Sequence, residues 1–260
     1  MAELTFSSPE IAERVSEWTS PKFDEATRAE VQALVDAGNV AELEDRFYRT
    51  LEFGTGGLRG LMGAGTNRMN ATIVACATQG LASYVKAHAA RAEGGLRAAV
   101  THDCRHNGRA FATIIAEVFA GNGFKVFMSP ELRPTPWLSF AVAHLGCHTA
   151  VNLTASHNPK EYSGYKVYWD DGSQVVPPHD EGIIRDVEQV TSIDQVKRMP
   201  YDAAVAAGMI EETGDELDQA YIDAVCRQRI NAGVLASHPV RLVYTPLHGV
   251  GGRIAPRALE

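Results

Sequence analysis

Ser156 lies in Thr154-Ala155-Ser156-His157-Asn158-Pro159-Lys160, directly after the apolar run Thr149–Leu153. A serine at the end of a buried strand, with an imidazole beside it and Lys160 and Lys166 near, can act as a nucleophile or carry a phosphoryl group. The same residues also suit a plain turn, because Ser and Asn-Pro are ordinary turn formers. Local sequence leaves both readings open. A Ser-His-Asp hydrolase fits poorly, since the G-x-S-x-G elbow is absent around Ser156. A second candidate is the stretch Phe53-Gly54-Thr55-Gly56-Gly57-Leu58-Arg59-Gly60. Its glycines let backbone N–H groups approach an anion, and Arg59 adds a forked cation suited to phosphate. No Gly-Lys-Ser/Thr follows, so it is not a Walker A loop, and a flexible connector is the competing reading.

Other groups carry weaker signals. His144 and His148 are four apart with Cys147 between them, but the Glu of an H-E-x-x-H pattern is missing and no third ligand is evident. His102 and His106 read as polar loop residues. Gly249-Val250-Gly251-Gly252 lacks the full G-x-G-x-x-G spacing and reads as a strand–helix turn.

The elements that must position these residues follow from capping and periodicity. Helices are expected from Ser8-Pro9-Glu10, over 24–37 and over 40–51. Asn70 caps a long helix with Ile73, Val74, Ala77, Leu81, Tyr84 and Val85 at helical spacing. An alternation follows: strand 96–101, helix 109–120, strand 124–128, helix 135–144, strand 149–153. This βαβαβ pattern predicts an at least partly parallel sheet with helices packed on it. Three polar loops then fall on one sheet edge: His102–His106, Glu131–Pro136 and Thr154–Lys160. Asp170-Asp171-Gly172 marks a hairpin between 164–169 and 174–176. A helix over 180–190 closes the unit. Residues 191–215 read as a connecting stretch, 216–230 as a helix, 240–244 as a strand, and a helix begins near Ile254. The fold class expected is a three-layer α/β/α domain with a mixed, partly parallel sheet, plus the start of a second α/β domain.

Bulk properties narrow the function. The 260 residues are 45% hydrophobic and 22% charged, ordinary values for a globular chain. A formal net charge of -8 disfavours nucleic acid and anionic membrane as partners. Cationic contacts to an anionic ligand must therefore be concentrated locally. The four cysteines, Cys76, Cys104, Cys147 and Cys226, form no C-x-x-C pair and read as reduced thiols of a cytoplasmic protein. No signal peptide is recognisable in Met1–Thr19, which carries Glu3, Glu10, Glu13, Arg14 and Glu17. No apolar run approaches the ~20 residues that span a bilayer.

The run Thr154–Pro159 with Glu161-Tyr162-Ser163-Gly164-Tyr165-Lys166 closely resembles the phosphoserine loop of the α-D-phosphohexomutases, which include phosphoglucomutases, phosphomannomutases and phosphopentomutases. Three further segments agree in order and spacing: Phe53–Gly60 with Arg59, Asp103-Cys104-Arg105, and Pro134-Thr135-Pro136. Arg46-Phe47-Tyr48 through Gly60, then Met62–Asn70, is similar to the branch holding phosphoglucomutase-2 and its phosphopentomutase and bisphosphate-synthase relatives. Tyr244–Gly251 resembles that branch's entry into its second domain.

The resemblance implies a mechanism and an organisation. A phosphorylated Ser156 gives its phosphoryl group to a small-molecule sugar phosphate, the bisphosphate turns over, and the other phosphoryl group returns to the serine. Phosphate thereby moves between positions 1 and 6 of a hexose, or 1 and 5 of a pentose. His157 and Arg59 steady charge, Lys166 moves a proton or contacts phosphoryl oxygens, Asn158 braces the loop, and Thr154 and Lys160 bind phosphate. A sugar 1,6-bisphosphate is the expected activator. The family's Mg²⁺ is held by an Asp-x-Asp-x-Asp-Arg loop and one phosphoserine oxygen, here on Ser156. These 260 residues contain no such run. Ser163 stands where the family usually has Asn. The expected division is a helical segment over 1–50, the phosphoserine domain over 51–195, and a linker with a truncated second domain over 196–260. The isolated chain is expected to turn over sugar phosphate poorly. The alternative is a non-catalytic domain that binds sugar phosphate or mediates interactions.

Overall fold

A computed structural model describes residues 4–54, 56–89, 94–231 and 233–260. Glu3 and Thr55, both named above, lie outside the described residues. Three helices form an N-terminal layer: α1 (Pro9–Trp18), α2 (Glu25–Asp36) and α3 (Val40–Phe47). Asp24 and Asn39 cap α2 and α3 through their side chains. Trp18, Val31, Leu43 and Phe47 make a core of their own. The helix expected to reach residue 51 stops at Phe47, because the Leu51 amide turns away to bond the Thr66 carbonyl at 2.8 Å.

The sheet comprises β1 (Gly57–Leu61), β2 (Arg97–His102), β3 (Lys125–Met128), β4 (Thr149–Leu153), β5 (Tyr162–Trp169) and β6 (Ile210–Glu212). Their order is β1-β5-β4-β2-β3-β6. The four strands β4-β2-β3-β6 are parallel, and β5 and β1 add antiparallel pairings. The chain runs from β2 to its neighbour β3, then back across β2 to β4. Right-handed crossovers in opposite directions place their helices on opposite faces. Accordingly α4 (Ala71–His88), α5 (Gly108–Gly121) and α7 (His179–Glu188) share one core with Val100, Val151 and Tyr165. On the other face, α6 (Thr135–Leu145) and α9 (Asp215–Cys226) pack with Ala99, Ala150 and Tyr168. This is the expected three-layer α/β/α arrangement with a mixed sheet. Asn70 caps α4 as expected, its side chain accepting from the Ile73 amide at 3.0 Å. No described helix is long and apolar enough to cross a membrane.

Two expectations fail beyond residue 190. The stretch 191–215 contains α8 (Tyr201–Ala206) and β6, which extends the sheet beside β3. Conversely, 240–244 forms no strand. It has the right residues but pairs with nothing among the described residues, and Val243 is 94% exposed. A strand's hydrogen bonds are made by its neighbour, so β-branched residues alone do not produce one.

Helix α9 is anchored by charge as well as by apolar contact. The Arg133 guanidinium forks onto the Asp218 carboxylate, Nε to Oδ1 at 2.7 Å and Nη2 to Oδ2 at 2.8 Å. Both side chains are buried. Arg253 also donates to Asp218 Oδ2, at 3.0 Å, tying the C-terminal segment to the same carboxylate. Removing one partner of such a pair leaves an uncompensated buried charge. Asp218→Ala is therefore expected to lower stability by about 3–5 kcal/mol. Urea denaturation checks this, and a loss near zero would show that apolar contacts alone hold α9.

Candidate functional site

β2 and β4 are neighbours in the sheet although separated in sequence, so the loops after them emerge side by side. The loop after β4 carries Ser156. Its backbone is left-handed at φ 56°, a conformation that costs an L-residue roughly 1–2 kcal/mol. The Ser156 amide donates to Thr154 Oγ1 at 3.0 Å, and the Asn158 amide to the Ala155 carbonyl at 3.1 Å. At the loop's start the Thr154 amide bonds the Gly164 carbonyl at 2.9 Å. A Cβ at position 164 would stand 2.4 Å from the Thr154 carbonyl oxygen, so this approach requires glycine.

Arg105, from the loop after β2, holds the serine loop in place. Nη1 donates to the carbonyls of Pro159 (2.6 Å) and Tyr162 (2.9 Å). Nη2 donates to those of Ser156 (3.0 Å) and Asn158 (2.7 Å). Nε donates to Asp103 Oδ2 at 3.1 Å, and the Arg105 amide to Asp103 Oδ1 at 3.0 Å. All five guanidinium donors are thereby used. Asp103 neutralises the charge and fixes the plane of the fork. Sequence reasoning gave Asp103-Cys104-Arg105 no role. The available signal was the Asp-x-Arg spacing in a loop on the same sheet edge.

The loop lines a cavity of about 620 Å³ whose walls include Ser156, His157, Lys160, His106 and His248. Ser156 Oγ lies 3.4 Å from His157 Nδ1. His248 arrives from the C-terminal segment, where its carbonyl accepts from Cys104 Sγ at 3.4 Å. Arg59 is exposed on β1 and donates through Nη1 to Asn158 Oδ1 at 3.3 Å. Register pairs Arg59 with Gly164 and Gly57 with Lys166. Arg59 and Lys166 therefore point from the same face of the sheet. Neither lines the cavity around Ser156. The Thr154 hydroxyl is engaged with the Ser156 amide.

Several sequence candidates lie elsewhere or are otherwise engaged. The amides of Gly54 and Gly57 bond each other's carbonyls, and the Gly56 carbonyl accepts from the Val167 amide. These glycines fasten the chain to β5 instead of opening N–H groups to an anion. Arg133 turns inward to Asp218. His148 Nδ1 accepts from the Arg97 amide at 3.1 Å, and His144 stacks on Phe140. No group of three His, Cys, Asp or Glu side chains suited to a metal exists among the described residues.

An α/β/α domain on a mixed sheet, with a serine loop facing a histidine-lined cavity, defines the class, and the comparisons define the family. Residues 50–194 match the sequence profile described as "Phosphoglucomutase/phosphomannomutase, alpha/beta/alpha domain I". The chain belongs to this family. It is 38% identical to a probable phosphoribomutase of Schizosaccharomyces pombe, covering 97% of this chain and 43% of that protein. It is 31% identical to a phosphopentomutase of Homo sapiens, covering 95% and 41%. The crystal structure of a putative phosphomannomutase from Thermus thermophilus superposes with a TM-score of 0.67 at 25% identity, covering 81% of this chain and 43% of that one. The chain thus spans less than half the length of these relatives.

Two outcomes are expected. With Arg105→Lys, the flexible ammonium cannot reproduce a planar five-donor fork. Hydrogen exchange at the Asn158 and Tyr162 amides should accelerate about tenfold or more, while α4 amides keep their protection. Unchanged exchange would mean that the loop holds itself. His102, buried at the end of β2, donates through Nδ1 to the Asp103 carbonyl at 2.9 Å, and burial lowers its pKa below the usual 6.5. As pH falls below 6.5, the unfolded chain binds a proton that the native imidazole does not. Stability should decline from there down to the folded pKa, and His102→Gln should flatten that decline in chemical denaturation. An identical pH profile in the variant would contradict it.

Proposed function

We infer that the protein carrying this chain is a phosphosugar mutase in which Ser156 is the phosphoryl carrier. The observation that supports this reading best is the serine loop itself. Arg105 and Asp103 hold Ser156 in a conformation it would not otherwise favour, beside a cavity whose imidazoles and Lys160 attract a dianion. Phosphoryl transfer needs positioning and charge neutralisation more than covalent help, and these residues supply both.

In the proposed step a sugar-phosphate hydroxyl oxygen forms a bond to phosphorus as the Oγ–P bond of phosphorylated Ser156 breaks. The hydroxyl proton leaves with a base and Ser156 Oγ regains one, so charge and protons balance. The reverse transfer from the other end of the bisphosphate completes an isomerisation. Lys166 and Arg59, which share one sheet face, are the proposed proton-transfer and phosphoryl-contact groups, Arg59 bonding Asn158. A sugar 1,6-bisphosphate would charge the serine, and hexose or pentose phosphates would be the substrates. Magnesium is the metal expected for the family. It prefers several oxygen ligands, and Asp103, the carboxylate that lines the cavity with Ser156, is taken up by Arg105. The described side chains do not fit that metal by themselves, and no step is assigned to it.

The test is mass spectrometry of the protein carrying this chain after exposure to glucose 1,6-bisphosphate or ribose 1,5-bisphosphate. One phosphoryl group should appear on Ser156, and none on Ser156→Ala, which should also lose turnover. Arg59→Ala should reduce kcat/KM by roughly a hundredfold or more, the usual cost of removing a preorganised donor. Phosphorylation elsewhere, or full turnover by Ser156→Ala, would overturn the assignment.

A further inference from the structure

A second cavity, of about 690 Å³, lies between the N-terminal helical layer and the α/β domain. It shares no lining residue with the cavity around Ser156. Its volume is within the roughly 300–1,000 Å³ of small-molecule sites. Phe23 reaches it from the α1–α2 loop, Phe53 and Leu58 from the chain entering and running along β1, and Ile73 and Ala77 from the first turns of α4. These side chains make an apolar wall shared between two separate cores.

Several polar groups around this wall are already committed. Lys22 Nζ reaches Glu17 at 2.7 Å, Ser192 Oγ at 3.1 Å and Asp194 at 3.3 Å, which straps the N-terminal layer to the turn after α7. Arg14 Nη1 donates to the Phe47 carbonyl at 2.6 Å. The Thr66 hydroxyl donates to the Arg49 carbonyl at 2.6 Å. Among the described residues, no side-chain polar atom lining the cavity is both buried and unpartnered. An anionic ligand would have to break these pairs and would meet the carboxylates of Glu17, Glu52 and Glu188 in the lining, and both are costly. An apolar ligand would cover Phe23, Phe53, Leu58, Ile73 and Ala77, surface that gains from being covered.

We propose that this cavity is a binding site for an uncharged, apolar small molecule, distinct in chemistry from the anionic ligands of the serine cavity. Its occupant sits directly behind β1: Leu58 lines the cavity, and the next residue, Arg59, projects from the opposite face toward Asn158. The Cys76 thiol is on the cavity wall, and burial pushes its pKa up to about 11. It is consequently a slow-reacting thiol that an occupant shields further.

The uncharged dye Nile red tests the proposal on the intact chain. It should bind saturably at one site per chain with blue-shifted emission, and should slow alkylation of Cys76 by iodoacetamide. Filling the cavity with Cys76→Phe or Ile73→Trp should weaken dye binding about tenfold or more, with cooperative thermal unfolding retained. Two filling variants are used so that a failure of one to fold leaves the other decisive. Ser156→Ala should bind the dye as the parent chain does, and excess glucose 1,6-bisphosphate should not displace it. Non-saturable dye uptake, equal affinity in a folded filling variant, or displacement by the sugar bisphosphate would each overturn the site. None of these outcomes bears on whether Ser156 carries a phosphoryl group.

Discussion

The arrangement of the site depends on one guanidinium. Arg105 donates to four carbonyls of a single loop and to the carboxylate of Asp103. Carbonyls converging on one point repel each other and cannot be satisfied by a neutral side chain. Arginine answers with a planar array of donors and a charge that is never lost. The convergence turns the 156–162 backbone around one centre and leaves Ser156 in a left-handed conformation facing the cavity. Strain of this kind persists only where the surroundings over-determine it. Here the Thr154 hydroxyl, the Asn158 amide and Gly164 add the remaining constraints.

The same economy bears on the phosphate site proposed for this acidic chain. Several of its arginines are structural. Arg105 holds the serine loop, Arg133 holds α9 through Asp218, Arg46 pairs with Glu30 and Glu42 within the N-terminal layer, and Arg68 joins that layer to residues 62–70 through Glu42 and Asp45. Each is matched by carboxylates or carbonyls, so none contributes a free positive field. The cation left in the cavity beside Ser156 is Lys160, with Arg59 and Lys166 on the adjoining strands. Local excess of positive charge, not net charge, governs anion capture when fields are screened beyond about 10 Å.

Sheet topology brings these parts together. β2 and β4 are neighbours only because the chain reverses direction across β2, and this reversal sets Arg105 beside the loop it holds. The edge strand β1 then delivers Arg59 through its pairing with β5. One side of β1 therefore serves the serine loop while the other side forms the wall of an apolar cavity. The N-terminal layer closes that cavity from outside, strapped by Lys22.

Much of this was present in the sequence because the responsible signals are local. Asn70 and Asp24 mark helix starts through amides three residues away. The alternation from residue 96 to 153 announces parallel strands, and Ser156 stands at the end of a buried run, where α/β sheets place their ligands. Other features required partners distant in sequence. Ile210-Glu211-Glu212 is too short to carry a period, and it is a strand only because β3 offers an edge. Residues 240–244 have strand-forming side chains but pair with no strand among the described residues. The glycines of 54–57 suggested an anion loop, yet their backbone groups were claimed by one another and by β5. Nothing around Arg105 reveals that its donors go to carbonyls more than fifty residues onward, or that Arg133 turns inward to α9. Periodicity and capping are properties of neighbouring residues, whereas the partner of a strand edge or of a guanidinium is decided only when the chain closes on itself.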